Sequence, residues 1–210
     1  MNSEQPVYSA QLQSYISRAE RLQNEIAESR QSLLAQLATL VRKEKAAGLD
    51  QHLVFICTHN SRRSHFAHVW FKIALSHYCV ANVCAWSGGT EVTQCNPRTV
   101  AAMIRSGLQV RTGAGQENPI YEIQYTNNGT PIECCSKIYN QSPNPAAGYF
   151  GILCCSDVDE RCPVIEGAHQ RISLHYLDPK ISDDTPQEQT VYDERCLQIA
   201  SEMFFLASQI

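Results

Sequence analysis

A cysteine and an arginine six positions apart are the residues of this sequence best suited to chemistry. Cys57 opens the stretch CTHNSRRS, which ends at Ser64 and contains Arg63. A short loop before a helix turns its backbone N–H groups towards an anion, where the helix dipole also favours negative charge. An arginine adds a planar pair of donors that matches two oxygens of a tetrahedral oxyanion. The stretch therefore predicts an oxyanion site beside a nucleophilic thiol.

The surroundings expected around Cys57 favour reaction at its sulfur. A helix N-terminus and Arg63 are both positive, and positive surroundings favour the thiolate, the nucleophilic form of cysteine. The alternative is a buried thiol at a strand end with a surface arginine nearby. The flanking residues favour the nucleophile, because the apolar run 53–56 predicts a strand and residues 66–75 predict a helix.

The loop resembles that of the low-molecular-weight tyrosine phosphatase superfamily, which reads Cys-x-Gly-Asn-x-Cys-Arg-Ser. Four positions match: Cys57, Asn60, Arg63 and Ser64. His59 replaces the glycine, which predicts backbone strain there, and Arg62 replaces the second cysteine. The resemblance implies that Cys57 attacks while the rest of the loop holds the oxyanion: Thr58, His59, Asn60, Ser61, Arg62, Arg63 and Ser64.

An aspartate followed by proline, Asp178-Pro179, comes late in the chain. The resemblance implies that Asp178 is the general acid, which gives a proton to the oxygen that leaves. An isolated Asp-Pro is more often a turn. Its place at the end of a later predicted strand favours the acid.

A further cysteine pair favours one branch of the superfamily. The segment from Cys155 to Pro163 reads CSDVDERCP and resembles the relay segment of thioredoxin-coupled arsenate reductases. The resemblance implies that Cys57 attacks arsenate and that Cys155 then forms a disulfide with Cys57 and releases arsenite. Cys162 would pass the disulfide on to thioredoxin. Lys180, where the tyrosine phosphatases usually carry an aromatic residue, also favours the reductase.

Two other functions stay open at this point. The first is hydrolysis of phosphomonoesters by a protein tyrosine phosphatase, in which water resolves the thiol adduct and Cys155 and Cys162 are structural thiols. The second is a non-catalytic oxyanion-binding module, which the replacements at His59 and Arg62 motivate. If the loop were only a binder, Cys57→Ser would leave the function intact.

Alternating strands and helices predict an α/β fold. Strands are predicted at residues 53–56, 80–86, 149–155 and 172–177, and the last helix at about 186–208. Such an order gives a small doubly wound parallel sheet, and the resemblance implies the flavodoxin-like, low-molecular-weight phosphatase type. The ligand then belongs at the carboxyl ends of the strands, where Cys57, Cys155 and Asp178 fall.

Two additions to the catalytic domain, which is predicted over residues 51–210, are expected. An N-terminal helical extension covers residues 1–50, and a β-hairpin insertion covers about 113–148. The turn of the hairpin is predicted at Asn127-Asn128-Gly129, since Asn-Gly favours tight hairpins. The insertion would be either a substrate lid or a solvated decoration.

The extension predicts one long helix or two in succession over residues 7–47. Apolar residues recur at alternating steps of four and three: Tyr8, Leu12, Tyr15, Ala19, Leu22, Ile26, Leu33, Leu37 and Leu40. That period is the seam of a coiled coil or a helical hairpin. We expect the seam to pack on the chain's own domain, with a homodimer as the alternative.

The composition sets the remaining expectations. A formal net charge of −4 over 210 residues argues against nucleic acid and acidic membranes as partners. No apolar run is long enough to span a membrane and no signal peptide is seen, so a cytoplasmic protein is predicted. Ten cysteines without a Cys-x2-Cys pair give little support for a zinc site. We predict no cofactor and no metal ion. In particular, His68 stands where some related reductases carry a glutamate that helps to hold potassium.

Overall fold

The N-terminal extension forms two helices. The computed structural model describes residues 6–113, 117–161 and 164–210. Helix α1 (Ala10–Arg21) begins at Ser9, whose hydroxyl accepts a hydrogen bond from the Leu12 N–H. A 3₁₀ turn, Leu22–Glu25, separates it from helix α2 (Glu28–Lys45). The chain is extended at Ile26, which ends the first helical segment and resets the direction of the second.

The main sheet has four parallel strands: β1 (Gln51–Cys57), β2 (Val83–Gly89), β6 (Tyr149–Leu153) and β7 (Ala168–Ser173). Their order is β2-β1-β6-β7. The chain passes from β1 to β2 on one side and then crosses to β6 on the other side, so its winding reverses at β1. This doubly wound parallel sheet confirms the predicted fold.

Four further helices follow the strands: α3 (Arg63–His77), α4 (Pro97–Arg105), α5 (Ser156–Arg161) and α6 (Glu188–Ser208). Asn96 caps α4 and Pro97 occupies its first turn, where its missing N–H costs nothing. No helix of the described part of the chain is long and apolar enough to cross a membrane.

A small antiparallel sheet lies between β2 and β6 in the chain. It contains β3 (Gln109–Thr112), β4 (Tyr121–Gln124) and β5 (Ile132–Cys134), paired in that order. The β4–β5 hairpin turns through Asn127-Asn128-Gly129, as predicted. The sequence did not predict β3, whose partner strand begins nine residues farther along the chain.

None of the four predicted strands has its predicted bounds: β1 is longer at both ends and β6 ends at Leu153 rather than residue 155, whereas β2 and β7 are displaced along the chain. Strand β2 begins at Val83 rather than residue 80, because Cys79 and Asn82 take positive φ angles and turn the chain. Strand β7 spans Ala168–Ser173 rather than 172–177. Beyond its end the chain still donates hydrogen bonds from Leu174 and Tyr176 to the end of β6 and the residue after it.

The apolar faces of α1 and α2 join the main hydrophobic core and contact α6, as the favoured alternative predicts. The buried residues are Leu12, Ile16, Ala19, Leu34, Leu37, Ala38 and Val41. Of the predicted seam, Leu12, Ala19 and Leu37 are buried, whereas Tyr8, Tyr15, Leu22, Leu33 and Leu40 are only partly buried. In α2 the buried face is shifted by about one residue from the prediction, because the 3₁₀ turn and the extended Ile26 reset the helical phase.

This shift of phase is testable with two neighbouring leucines. Leu34→Ala should lower the free energy of unfolding by about 2–5 kcal/mol, because it leaves a cavity in a fully buried site. Leu33→Ala removes the same atoms from a partly exposed site, so its cost should be clearly smaller. Urea unfolding of both variants measures the difference, and equal costs would contradict the packing described for α2.

Candidate active site

The Cys57 loop joins the end of β1 to the start of α3, at the carboxyl edge of the sheet. The Sγ atom of Cys57 lies 3.0 Å from the hydroxyl of Ser64, in the first turn of α3. Asn60 Nδ2 donates to the same hydroxyl at 2.9 Å. The side chains of these three residues are almost completely buried. A connected set of hydrogen bonds therefore closes the loop beneath the sulfur.

Asn60 supplies the unusual backbone conformation of the loop. Its φ angle is 45°, in the left-handed region that asparagine tolerates better than most residues. His59 is not among the residues with positive φ, so the predicted strain at His59 was wrong. Asn60 Oδ1 also accepts a hydrogen bond from the Lys137 N–H at 3.1 Å, which ties the loop to the segment after β5.

Arg63 is held by the chain that follows β7. Its Nη2 atom donates to Asp178 Oδ2 at 2.6 Å, and its Nη1 atom donates to the Tyr176 carbonyl at 3.0 Å. Asp178 also accepts from the Lys180 N–H and begins a 3₁₀ turn, Pro179–Ser182. The predicted arginine and acid therefore form an ion pair over the loop.

A small pocket collects most of the predicted site residues. It is lined by Cys57, Thr58, His59, Ser61, Arg62, Arg63 and Asp178. The other two predicted residues, Asn60 and Ser64, do not line this pocket. Their side chains are fully buried and joined by a hydrogen bond that braces the loop. The catalytic and binding roles of all these residues stay predictions.

Arg62 is fixed by partners that the sequence analysis missed. Its Nε atom donates to the Tyr192 hydroxyl at 2.7 Å, and its Nη2 atom donates to Asp183 Oδ2 at 3.0 Å. The Tyr192 hydroxyl donates to Asp183 Oδ1 at 2.8 Å. Burial and the hydrogen bond to Asp183 raise the pKa of Tyr192, so it stays protonated. No motif marks these partners, since they lie more than 100 residues from Arg62.

Cys155 is the second predicted thiol that the structure brings to the loop. Its Sγ atom is 3.7 Å from Thr58 Oγ1, and the residue is only 1% exposed. The neighbouring Cys154 bonds to the Ile152 carbonyl, and burial raises its pKa well above the usual value. Cys162, the third predicted relay thiol, lies outside the described residues.

Asp159 anchors α5, which lies in the segment after Cys155. Its carboxylate accepts a hydrogen bond from Ser173 and pairs with Arg171 and with His175, whose Nε2 is 2.7 Å away. Burial alone would raise the pKa of Asp159, but the Ser173 hydrogen bond together with Arg171 and the contact with His175 lowers it. The ionised carboxylate thus fastens α5 to β7 and the residues after it.

Two glycines at the end of β2 allow close backbone approaches, Gly89 to the Cys57 loop and Gly88 to Tyr139 in the segment after β5. A Cβ atom on Gly89 would lie 2.7 Å from both the Asn60 nitrogen and the Thr58 oxygen. A Cβ atom on Gly88 would lie 2.2 Å from the Tyr139 Cα. Neither position could hold a side chain without moving backbone, so β2 supports the loop directly.

Part of the chain is similar in sequence to known arsenate reductases. No protein-family model matches the chain. It is 29% identical to arsenate reductase 2 of Staphylococcus haemolyticus over 113 residues, which are 54% of this chain and 66% of that protein. It is 24% identical to the arsenate reductase of Bacillus subtilis over 143 residues, which are 68% of this chain and 84% of that one. The predicted resemblance is confirmed.

The similarity to these two reductases also confirms the prediction of an enzyme of the arsenate reductase or low-molecular-weight phosphatase kind. Among solved structures, a YwlE mutant from Bacillus subtilis is 14% identical and has a TM-score of 0.49, with 76% of this chain and 97% of that chain covered. A low-molecular-weight phosphotyrosine phosphatase from Vibrio cholerae O395 is also 14% identical with a TM-score of 0.49, with 75% and 95% covered.

The bracing role of Ser64 gives a test of the site. Ser64→Ala removes the hydroxyl that contacts the Cys57 sulfur, and a hydrogen bond to a charged group contributes about 1.5–3 kcal/mol. We therefore expect iodoacetamide to label Cys57 about tenfold or more slowly at a fixed pH. Ser201→Ala, which removes a buried hydroxyl from α6, is the matched control. Equal labelling rates of Cys57 in both variants would show that the Ser64 hydroxyl does not affect the reactivity of Cys57.

Proposed function

We propose that this chain is an arsenate reductase-like enzyme with a cysteine nucleophile and a three-cysteine disulfide relay. The observation that carries the proposal is the position of Cys155, whose sulfur lies 3.7 Å from Thr58 Oγ1 at the edge of the loop. Hydrolysis of a phosphate ester needs no second thiol at this place. A disulfide relay needs one within reach of Cys57.

Arsenate would bind in the small pocket above the Cys57 sulfur. Backbone N–H groups at the start of α3 and the Arg63 guanidinium supply the positive surroundings, while the whole chain is negative. Arg63 pairs with the Asp178 carboxylate. It would therefore exchange this carboxylate for two oxygens of the arsenate.

The first step is attack of the Cys57 thiolate on arsenic. A sulfur–arsenic bond forms and an arsenic–oxygen bond breaks. Asp178, once exchanged from Arg63, would take up a proton from the bound dihydrogen arsenate or from solvent and pass it to the departing hydroxyl oxygen, which leaves as water. Arsenic stays in the +5 state. The contact with Arg63 supports this role, because it keeps the Asp178 carboxylate at the edge of the pocket.

The second step is attack of the Cys155 thiolate on the Cys57 sulfur. A sulfur–sulfur bond forms, and the electron pair of the sulfur–arsenic bond stays on arsenic. Arsenic is thereby reduced from +5 to +3 and leaves as arsenite, while the two thiols are oxidised to a disulfide. The burial of Cys155 shields this step from solvent.

In the third step Cys162 would attack the Cys155 sulfur and release Cys57 as a thiolate. An external dithiol of the thioredoxin class then reduces the Cys155–Cys162 disulfide.

Phosphomonoester hydrolysis is the second candidate function. Cys57, Arg63 and Asp178 line one pocket, and together they would suffice for it, with water resolving the thiol adduct. A non-catalytic oxyanion binder is a third candidate. Cys57→Ser distinguishes the binder, because only a binder would keep its function without the sulfur.

The proposed partners follow from this chemistry. Arsenate or a phosphomonoester is the substrate, thioredoxin is the reductant, and the cytoplasm supplies the reduced environment that free thiols need. A homodimer through the N-terminal helices is a separate hypothesis. The apolar stripe no longer motivates it, because its buried residues are covered by α6 and the core.

The role of Asp178 gives a kinetic prediction. Asp178→Asn should lower the turnover number by ~10²- to 10⁴-fold, as expected for the loss of a general acid. Oxyanion affinity, measured by protection of Cys57 from iodoacetamide, should change much less. An unchanged turnover number would exclude Asp178 as the proton donor, and Asp157 would be tested next.

The relay predicts two different trapped species. In a coupled assay with arsenate, thioredoxin, thioredoxin reductase and NADPH, Cys155→Ser and Cys162→Ser should both lose turnover. Cys155→Ser should stop at the Cys57 adduct. Cys162→Ser should accumulate a Cys57–Cys155 disulfide, which peptide mass spectrometry identifies.

Two controls accompany these variants. Cys154→Ser removes a buried thiol next to Cys155 and should retain turnover, because that sulfur bonds to the Ile152 carbonyl instead of facing Thr58. Hydrolysis of a phosphate ester should persist in both relay variants. If both still reduce arsenate with thioredoxin, the relay is wrong and the phosphatase takes its place.

A further inference from the structure

Two histidines of α3 and a cysteine of β5 meet behind the Cys57 loop. His65 and His68 are three residues apart on the helix, so they lie on one face. A ring nitrogen of each histidine and Cys134 Sγ all lie within 4.8 Å of one another. None of the three residues belongs to the pocket that holds Cys57 and Arg63.

The cluster is buried and contains polar atoms without partners. His65 and Cys134 are 0% exposed, and His68 is 5% exposed. Among the described residues, neither His65 Nε2 nor His68 Nδ1 has a hydrogen-bond partner. An unpaired buried polar atom costs free energy, so such atoms are rare in folded proteins. Two of them beside one thiol indicate a place for a ligand.

The protonation of the two rings suits coordination. Burial lowers the pKa of His65 to about 3 and that of His68 well below its usual value, and the positive charge of Lys137 acts in the same direction. Both imidazoles are therefore neutral near pH 7. Each neutral ring has one nitrogen lone pair, which is the donor that a metal ion requires.

We propose that His65, His68 and Cys134 bind a thiophilic d¹⁰ metal ion, with Cu⁺ preferred over Zn²⁺. Imidazole nitrogen and thiolate sulfur together suit zinc and copper, whereas magnesium and calcium need oxygen ligands. Binding replaces the Cys134 thiol proton by the metal, and no electron is transferred. This site departs from the expectation that the chain holds no metal ion.

The charge and the number of donors favour the monovalent ion. Zn²⁺ in structural sites almost always has four ligands, whereas three side chains are gathered here. Zn²⁺ with one thiolate would leave a net positive charge in a buried site that already feels the charge of Lys137. Cu⁺ with one thiolate is neutral as a unit, so burying it costs less.

The ion would join α3 to the small sheet directly behind the loop. Two residues close to Cys134 in the chain already bond to the loop, since the Ser136 hydroxyl donates to the His59 carbonyl and the Lys137 N–H donates to Asn60. An ion held by α3 and β5 would fix this same junction. We therefore expect it to stabilise the fold.

The test removes competing thiols first. In a full-length background carrying Cys57→Ser, Cys155→Ser and Cys162→Ser, Cu⁺ is titrated anaerobically against bicinchoninate. One equivalent should be retained by the protein. Cys134→Ser and His68→Gln should each weaken retention at least tenfold. Cys135→Ser, which removes the neighbouring thiol, is the matched control and should retain the ion.

Two further measurements keep the outcome decisive even if one variant folds poorly. Copper X-ray absorption of the background protein should show two nitrogen neighbours and one sulfur neighbour, and thermal unfolding should shift upwards with Cu⁺. Failure to retain copper or zinc, or equal retention in Cys134→Ser and His68→Gln, would overturn the site. Sulfur-only coordination would do the same. Tighter binding of Zn²⁺ than Cu⁺ at these residues would overturn the choice of ion.

Discussion

The contact between the Cys57 sulfur and the Ser64 hydroxyl is the constraint on which the rest of the site depends. It joins the last residue of β1 to the first turn of α3, so the five residues 58–62 form a closed loop between the two elements. Asn60 makes this turn possible, because it accepts a left-handed φ angle and bonds through both ends of its amide. The shape of the pocket thus follows from a small buried set of hydrogen bonds.

The support of this loop comes from parts of the chain that look unrelated in the sequence. Gly89 brings β2 within van der Waals distance of the loop backbone, and its N–H donates to the Lys137 carbonyl. Ser136 and Lys137 bond to the loop from the segment that follows β5. The residues after the hairpin therefore act as a brace behind the loop. That role differs from the lid and from the solvated decoration that the sequence suggested.

The sequence predicted the features that depend on local patterns. The strand before Cys57, the helix after Arg63 and the hairpin turn at Asn127-Asn128-Gly129 are each encoded within a few residues. The phase of α2 was wrong because a 3₁₀ turn resets it, and β3 was missed because its partner is distant. The grip of Tyr192 and Asp183 on Arg62 was also missed. Residues that meet across more than 100 positions of the chain form no local pattern, so a single sequence does not reveal the contact.

Neighbouring arginines of the loop carry equal charges but are held very differently. Arg62 is bound by both Tyr192 and Asp183, and its Asp183 partner is only 17% exposed. Arg63 pairs with Asp178, which is 31% exposed and lies at the rim of the pocket. Releasing Arg62 would break its hydrogen bonds to both Tyr192 and the partly buried Asp183, whereas the more exposed Asp178 can turn to solvent or substrate at lower cost. In the proposed mechanism an incoming oxyanion would therefore compete for Arg63. Because Asp178 is the group that it would displace, binding of the oxyanion would also free the proposed acid beside the oxygen that has to leave.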